Sequence, residues 1–302
     1  MIKAEHLSKK FGDKAAVNDI SFTIHTGKVT GFLGPNGAGK STTMRLMLGL
    51  ASGEGVTLFD SKKLRDYAKP SDLVGVLLEA KAFHPSRSAR NHLKILATQG
   101  GVPLSRVDEV LDIVGLKEEA KKGPGKFSLG MSQRLGLAAA LLAEPKYLLL
   151  DEPANGLDPE GIVWLRNFLK SYAENDHGVF VSSHLLSEMS QLADNVVVIG
   201  RGKLLADTSM KGFIAGNVGT SVFIRVDGLE KFMAFLDKQK VSYIKKSGGL
   251  ELDKAKTDFV GKLAYQAKVP VLELSMKTAS LEQAFLEVTA GTEEYQGREI
   301  KK

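Results

Sequence analysis

Gly34-Pro35-Asn36-Gly37-Ala38-Gly39-Lys40-Ser41-Thr42 satisfies the phosphate-loop pattern GxxxxGK[ST] at Gly34, Gly39, Lys40 and Ser41. Upstream, Val29-Thr30-Gly31-Phe32-Leu33 is the short, mostly apolar run that a buried parallel strand needs. Downstream, Thr42 to Leu50 reads as a helix closed near Gly49. Gly34, Gly37 and Gly39 can take positive φ and leave no side chain in the way. Consecutive backbone N–H groups can then converge on phosphate oxygens at the positive end of the helix. Lys40 is expected at the β and γ phosphates of a nucleotide, and Ser41 offers a short hydroxyl that can ligate Mg²⁺.

The surrounding chain has 302 residues, 43% hydrophobic and 25% charged, an ordinary globular composition that favours two domains. Its net charge of +6 is diffuse, with no basic block interleaved with aromatics, so nucleic acid is not expected as a partner. Without cysteine there can be neither disulfides nor thiolate metal sites, which is compatible with a reducing cytosol. The six histidines show no ligand spacing. The residues after Met1 enter no apolar leader segment, and no stretch approaches the roughly twenty apolar residues of a membrane helix. Any membrane involved is therefore expected to belong to a partner.

From Ile2 to Thr26 short strands are predicted, since Ile20, Phe22 and Ile24 alternate with Ser21, Thr23 and His25. This reads as an antiparallel piece ahead of a parallel core. Phe11, beside the Gly12-Asp13 turn, is an aromatic that could stack on an adenine ring or serve as core. Further strands are predicted at Val56–Phe59 and, after a polar loop to Ser71, at Leu73–Leu78, which Glu79 ends. Helices follow at Ser88–Gln99, at Ser105–Val114 closed by Gly115, and at Met131–Ala143, where Pro145 stops the chain.

Tyr147-Leu148-Leu149-Leu150 is a four-residue apolar strand that runs into Asp151-Glu152-Pro153. Two acids at the end of a buried strand are costly unless something there is positive or metal-bound, and in open parallel sheets that end is where ligands sit. Asp151 therefore suits Mg²⁺, and Glu152 suits a general base polarising a water molecule. Asp158 is the natural N-cap of a helix from Glu160 to Tyr172 with Pro159 at its first position, which by itself would justify the residue. His184 follows the strand Val179-Phe180-Val181, where a γ-phosphate could be contacted. Asn195–Ile199 and Lys203–Ala206 read as a closing hairpin.

Taken together, GPNGAGKST, FSLGMSQR, LLLDEP, GLDP and the strand ending in SSH resemble, in order and spacing, the nucleotide-binding subunit of ABC transporters over about residues 1 to 215. Ser128-Leu129-Gly130-Met131-Ser132-Gln133 looks like a variant of the signature LSGGQ. The resemblance implies an α/β phosphate-loop NTPase fold with an antiparallel β subdomain and a helical signature subdomain. It implies hydrolysis of ATP with Mg²⁺. It assigns Phe11 to adenine and Gly34 to Thr42, including Pro35, Asn36 and Ala38, to the phosphates. Ser41 and Asp151 take the metal, Glu152 becomes the catalytic base and His184 the γ-phosphate sensor. Ser128 and Gly130 would complete the pocket of the opposite subunit, and Asp158 would lie in the loop crossing that interface. One phosphate loop and one signature per chain imply two chains for two pockets, with a homodimer of ATPase subunits expected and a heterodimer the alternative. Separate permease chains at the cytoplasmic face of the cell membrane are the implied partners.

Where the family pattern has a metal-touching glutamine, this chain has Glu79, which can still accept a metal but cannot donate a hydrogen bond when ionised. Subunits of lantibiotic and related drug exporters are similar at this position, which makes antibiotic export the expected role. The alternative is a soluble ABC ATPase acting on ribosomes or DNA, but the usual second cassette or long coiled coil is not present in the sequence. Residues 216–302 are expected to form a small α+β domain in ferredoxin-like order: strand 221–226, helix 229–239, strands 241–245 and 250–253, helix 258–267 and strand 271–274. A final helix, Leu281–Val288, capped by Ser280, and a frayed polar tail from Gly291 are expected to follow.

Overall fold

Alternating apolar residues set the first pairing: Ile2 faces Ile24 and Ala4 faces Phe22 where β1 (Ile2–Phe11) and β2 (Lys14–Ile24) run antiparallel. The computed structural model describes residues 1–84, 86–217, 220–253, 255–278, 285 and 289. β3 (Lys28–Leu33) is the apolar run, buried from Val29 to Leu33, and passes through the phosphate loop into α1 (Lys40–Met47). β4 (Glu54–Phe59) returns along the other edge of β1, giving a three-stranded antiparallel sheet ordered β2-β1-β4.

A short helix, α2 (Pro70–Leu73), precedes β5 (Val74–Leu77). The strand expected from Leu73 is thus shorter at both ends. Pro70, with its fixed φ, starts a helical turn that takes in Leu73, and Leu78 and Glu79 lie beyond the ladder. Three helices follow: α3 (Ala89–Gly100), capped by the Ser88 hydroxyl, α4 (Ser105–Ile113) and α5 (Leu129–Leu141). They close over a core that includes Leu93, Val110, Leu111 and Leu135.

β6 (Tyr147–Leu150), α6 (Pro159–Glu174), β7 (Gly178–Ser183), α7 (Leu186–Leu192), β8 (Asn195–Gly200) and β9 (Lys203–Ser209) complete the cassette. Among the described residues the main sheet has six strands in the order β5-β6-β7-β3-β8-β9, parallel except for β9. Tyr147, Leu148, Leu149 and Leu150 are all buried, as a strand covered on both faces requires. The rings of Phe22, Phe32 and Phe180 meet at centroid distances of 4.9 to 5.7 Å and join the two sheets. α7, of seven residues, is a helix for which the sequence offers neither a side-chain cap nor a long period.

The chain continues through α8 (Met210–Asn217), and its contacts divide it into two compact units: Met1–Met210 with Thr289–Lys302, and Lys211–Val288. In the second unit β10 (Thr220–Val226), α9 (Leu229–Lys238), β11 (Ile244–Lys246), β12 (Gly249–Asp253), α10 (Thr257–Gln266) and β13 (Val271–Thr278) form an antiparallel sheet ordered β11-β12-β10-β13. Its own core gathers Val222, Ile224, Phe232, Leu236, Leu250 and Val260. Of the strand expected at 241–245 only Ile244 and Lys245 lie in β11, which pairs with β12 alone. The helix expected at Leu281–Val288 and the tail from Gly291 lie outside the described residues apart from Phe285. Among the described residues no helix is long and apolar enough to cross a membrane.

Candidate nucleotide site

Register places the functional ends side by side. Leu33 of β3 pairs with Ser183 of β7, and Leu150 of β6 pairs with Val181 of the same strand. Gly34, His184 and the pair Asp151-Glu152 are therefore the next residues off three neighbouring parallel strands, at the edge where such sheets bind ligands.

Lys40 opens α1 and is only 7% exposed. Its Nζ donates to the carbonyl oxygens of Gly34 at 2.7 Å and Pro35 at 3.4 Å, and lies 3.4 Å from Glu152 Oε1. A buried ammonium needs such compensation, and phosphate oxygens can supply the same contacts. Gly39, just before the helix, has φ +105°, and a Cβ there would lie 2.3 Å from the Ala16 carbonyl oxygen. The loop path thus depends on glycine at this point. Helix α1 starts two residues before the expected Thr42, with Gly39 at its cap position. Around the loop is a cleft of about 770 Å³ lined by Phe11, Pro35 to Thr42 and Glu152, together with Lys14, Ala16 and Arg201. Its size is that of a nucleotide-class pocket. Phe11 stands 59% exposed on this cleft, an aromatic face open to a base.

Glu152 has a backbone φ of +48°, an uncommon conformation for a non-glycine residue. Long-range contacts hold it: its N–H donates to Ser182 Oγ at 2.9 Å, and its carbonyl accepts from Gln133 Nε2 at 3.1 Å. The two carboxylate oxygens are then divided, Oε1 toward Lys40 and Oε2 2.9 Å from His184 Nδ1. Ser182 Oγ donates in turn to Asp151 Oδ1 at 2.5 Å. Ser182 and Gln133 were not given roles from sequence; their only signals were membership of the SSH and FSLGMSQR runs. Burial raises the Glu188 carboxyl, the nearby Glu152 charge pushes the same way, and His184 and Arg166 oppose the rise.

Ser128 and Asp158 are helix N-caps, accepting from Met131 N–H at 3.1 Å and Gly161 N–H at 3.0 Å. A Cβ at Gly130 would lie 2.6 Å from the Gly156 carbonyl oxygen, so the start of α5 packs directly on the loop before α6. Ser128, Gly130 and Asp158 do not line the cleft. Glu79 stands beyond β5, and its carboxylate accepts from Arg45 Nη2 of α1 at 2.7 Å. Among the described residues no three histidine or acidic side chains gather as a metal cluster. The Ser41 hydroxyl and Asp151 carboxylate are hard oxygen donors, and such a sparse set fits Mg²⁺, which takes few protein ligands beside phosphate and water.

A phosphate loop, two strand-end acids, a strand-end histidine and a helix-capping signature on this sheet order define a phosphate-loop nucleotide-binding cassette. The ABC transporter family model matches residues 17–155. An uncharacterized ABC transporter ATP-binding protein of Bacillus subtilis, YhcH, is 36% identical over 300 residues, 97% of each chain. The bacitracin transport ATP-binding protein BcrA of Bacillus licheniformis is 44% identical over 212 residues, covering 68% of this chain and 69% of that protein. A solved ATP-binding subunit of an ABC transporter superposes with a TM-score of 0.65 at 24% identity, covering 72% of this chain and 92% of its own. This chain belongs to the ABC transporter ATP-binding proteins, the ATPases of the ABC family.

Proposed function

We propose that this chain hydrolyses ATP as a homodimer and drives export of an antibiotic or peptide through separate permease chains at the cytoplasmic face of the membrane. The observation that carries the catalytic reading is the division of the Glu152 carboxylate between Lys40 and His184 beside an open phosphate loop. In this reading Phe11 stacks on adenine, the N–H groups from Gly34 to Thr42 cradle the phosphates, and Lys40 exchanges its carbonyl partners for phosphate oxygens. Glu152 accepts the proton of the attacking water, and His184 orients the carboxylate and contacts the γ-phosphate.

Mg²⁺, held by Ser41 and Asp151, would neutralise charge developing on the phosphates. Glu79 reaches the ion only by giving up Arg45. Ser128 and Gly130 present a hydroxyl and a bare backbone at a helix N-terminus, suited to the γ-phosphate bound by a second copy, with Asp158 at the shared interface. Residues 1–215 carry this activity, and 216–302 serve as an accessory domain.

Export is supported by the relative named for bacitracin transport. Purifying the tagged chain from membranes tests it. A multi-spanning protein should accompany the chain and raise its MgATP turnover, whereas a chain recovered with ribosomes or DNA would overturn the export reading.

A further inference from the structure

Protein interiors are close-packed, so a void against a catalytic side chain is a feature to explain. Between α6, α7 and β7 lies a cavity of about 170 Å³, on the side of Glu152 away from the phosphate loop. Ile162, Leu165, Leu169, Val181, Met189 and Leu192 form its apolar wall. A cavity of about 150 Å³ with a similar lining is enough to take a benzene ring.

The polar groups around it are mostly committed. Arg166 donates to Gln191, Ser183 Oγ accepts from Leu185 N–H, and Ser182 serves Asp151 and Glu152. Glu188, half-buried in the first turn of α7, is different: among the described residues its carboxylate has no hydrogen-bond or ion-pair partner. Burial holds that carboxyl up, as expected of an acid lacking a partner. Of the two acids lining this space, Glu152 is held by Lys40 and His184, which leaves Glu188 as the carboxylate open to a cation, with the Arg166 guanidinium directed to Gln191. An apolar body with a positive end is the ligand such a lining selects.

We propose that this cavity binds a small cyclic amine, its ring among the aliphatic side chains and its ammonium on Glu188, and that occupation slows ATP hydrolysis. The coupling follows from the shared wall. Glu152 and Ser182 both line the cavity, and Ser182 Oγ ties Glu152 to Asp151. Glu152 already sits in an uncommon backbone conformation, so a ligand pressed against it biases where its carboxylate points. The binding half stands on the cavity alone; the inhibitory half rests on the hydrolysis reading above.

Benzylamine is the probe, with benzyl alcohol as its neutral counterpart, and the Met189 and Ile162 methyl NMR signals report occupancy. Benzylamine should shift both signals and bind at least about tenfold more weakly to Glu188→Gln, the loss of one charge-assisted hydrogen bond. Ile162→Phe should fill the space and leave the Met189 signal unmoved by benzylamine; Glu188→Gln, at a half-buried position, keeps the test valid if that variant misfolds. Hydrolysis at saturating benzylamine should fall about fivefold or more, within the usual range of site-to-site coupling. Unmoved methyl signals, or equal binding of amine and alcohol, would overturn the site, and binding without inhibition would overturn the regulation. A chain that hydrolyses no ATP even without amine would strike the hydrolysis reading instead, since the methyl signals report binding independently.

Discussion

Replacing Glu152 with glutamine separates the two tasks the structure places on this side chain. Lys40 Nζ lies 3.4 Å from Oε1 and His184 Nδ1 2.9 Å from Oε2. Glutamine keeps the length and both polar atoms, so the backbone ties to Ser182 and Gln133 are undisturbed. At an effective dielectric of about 20, the attraction across the 3.4 Å gap is about 5 kcal/mol before desolvation offsets most of it. Removing that anion leaves Lys40 more available to phosphate, so MgATP affinity should hold or rise. Turnover should fall by about 10²-fold or more, the range for loss of a general base, or about 2.7 kcal/mol of barrier. Phosphate release measures the second quantity and titration with a fluorescent ATP analogue the first. Light scattering with MgATP should then find a long-lived dimer. Unchanged turnover would remove Glu152 as the base. Joint loss of affinity and turnover in a folded variant would make the residue a structural support for Lys40.

Phe11→Ala should weaken ATP binding by about fivefold to a hundredfold, the worth of one base stack, with Phe11→Tyr near wild type in the same titration; an unchanged affinity would place the base elsewhere. Glu79→Gln releases Arg45, removes a charge and restores a hydrogen-bond donor, so ATP binding should hold while permease-dependent transport changes more than basal hydrolysis in reconstituted membranes. Equal, small effects on the two would leave Glu79 as a surface ion pair. Burial alone would raise the Asp60 carboxyl, but hydrogen bonds from Lys146, the Met1 ammonium and Tyr147 outweigh it and hold it at about 2, below the usual 3.8. Its contribution is therefore present above about pH 4 and lost as pH falls through 2. Asp60→Asn should cost about 1 kcal/mol in urea unfolding near neutral pH, allowing for partial exposure, and almost nothing at pH 2. A cost that does not vary with pH would refute the linkage.

Much of the site was readable because its elements obey local rules. Pro159 at a first helical turn, Asp158 as its cap, and the glycines of the phosphate loop act through neighbours within a few residues. The places where the reading slipped are those where distant contacts or weak local signals decide. The apolar run predicts strand at Leu73, but Pro70 starts a helical turn there, and α5 begins at Leu129, ahead of the expected Met131, because the Ser128 cap recruits the two residues after it. Arg45 has nothing in its own neighbourhood to link it with Glu79, 34 residues away.

By itself the sequence determined that a phosphate loop follows a buried strand, that acids end a second strand and a histidine a third, and that the signature runs into a helix. Those are properties of short stretches, governed by backbone sterics, capping and hydrophobic period. Only the tertiary structure decided that β6, β7 and β3 lie next to one another, so that Lys40 and His184 divide a single carboxylate. It also placed Ser182 between Asp151 and Glu152 and set Glu188, whose carboxylate has no hydrogen-bond or ion-pair partner among the described residues, beside a cavity. Strand order and side-chain partnership come from which apolar faces bury against each other across the chain, a global packing outcome that no local window of residues contains.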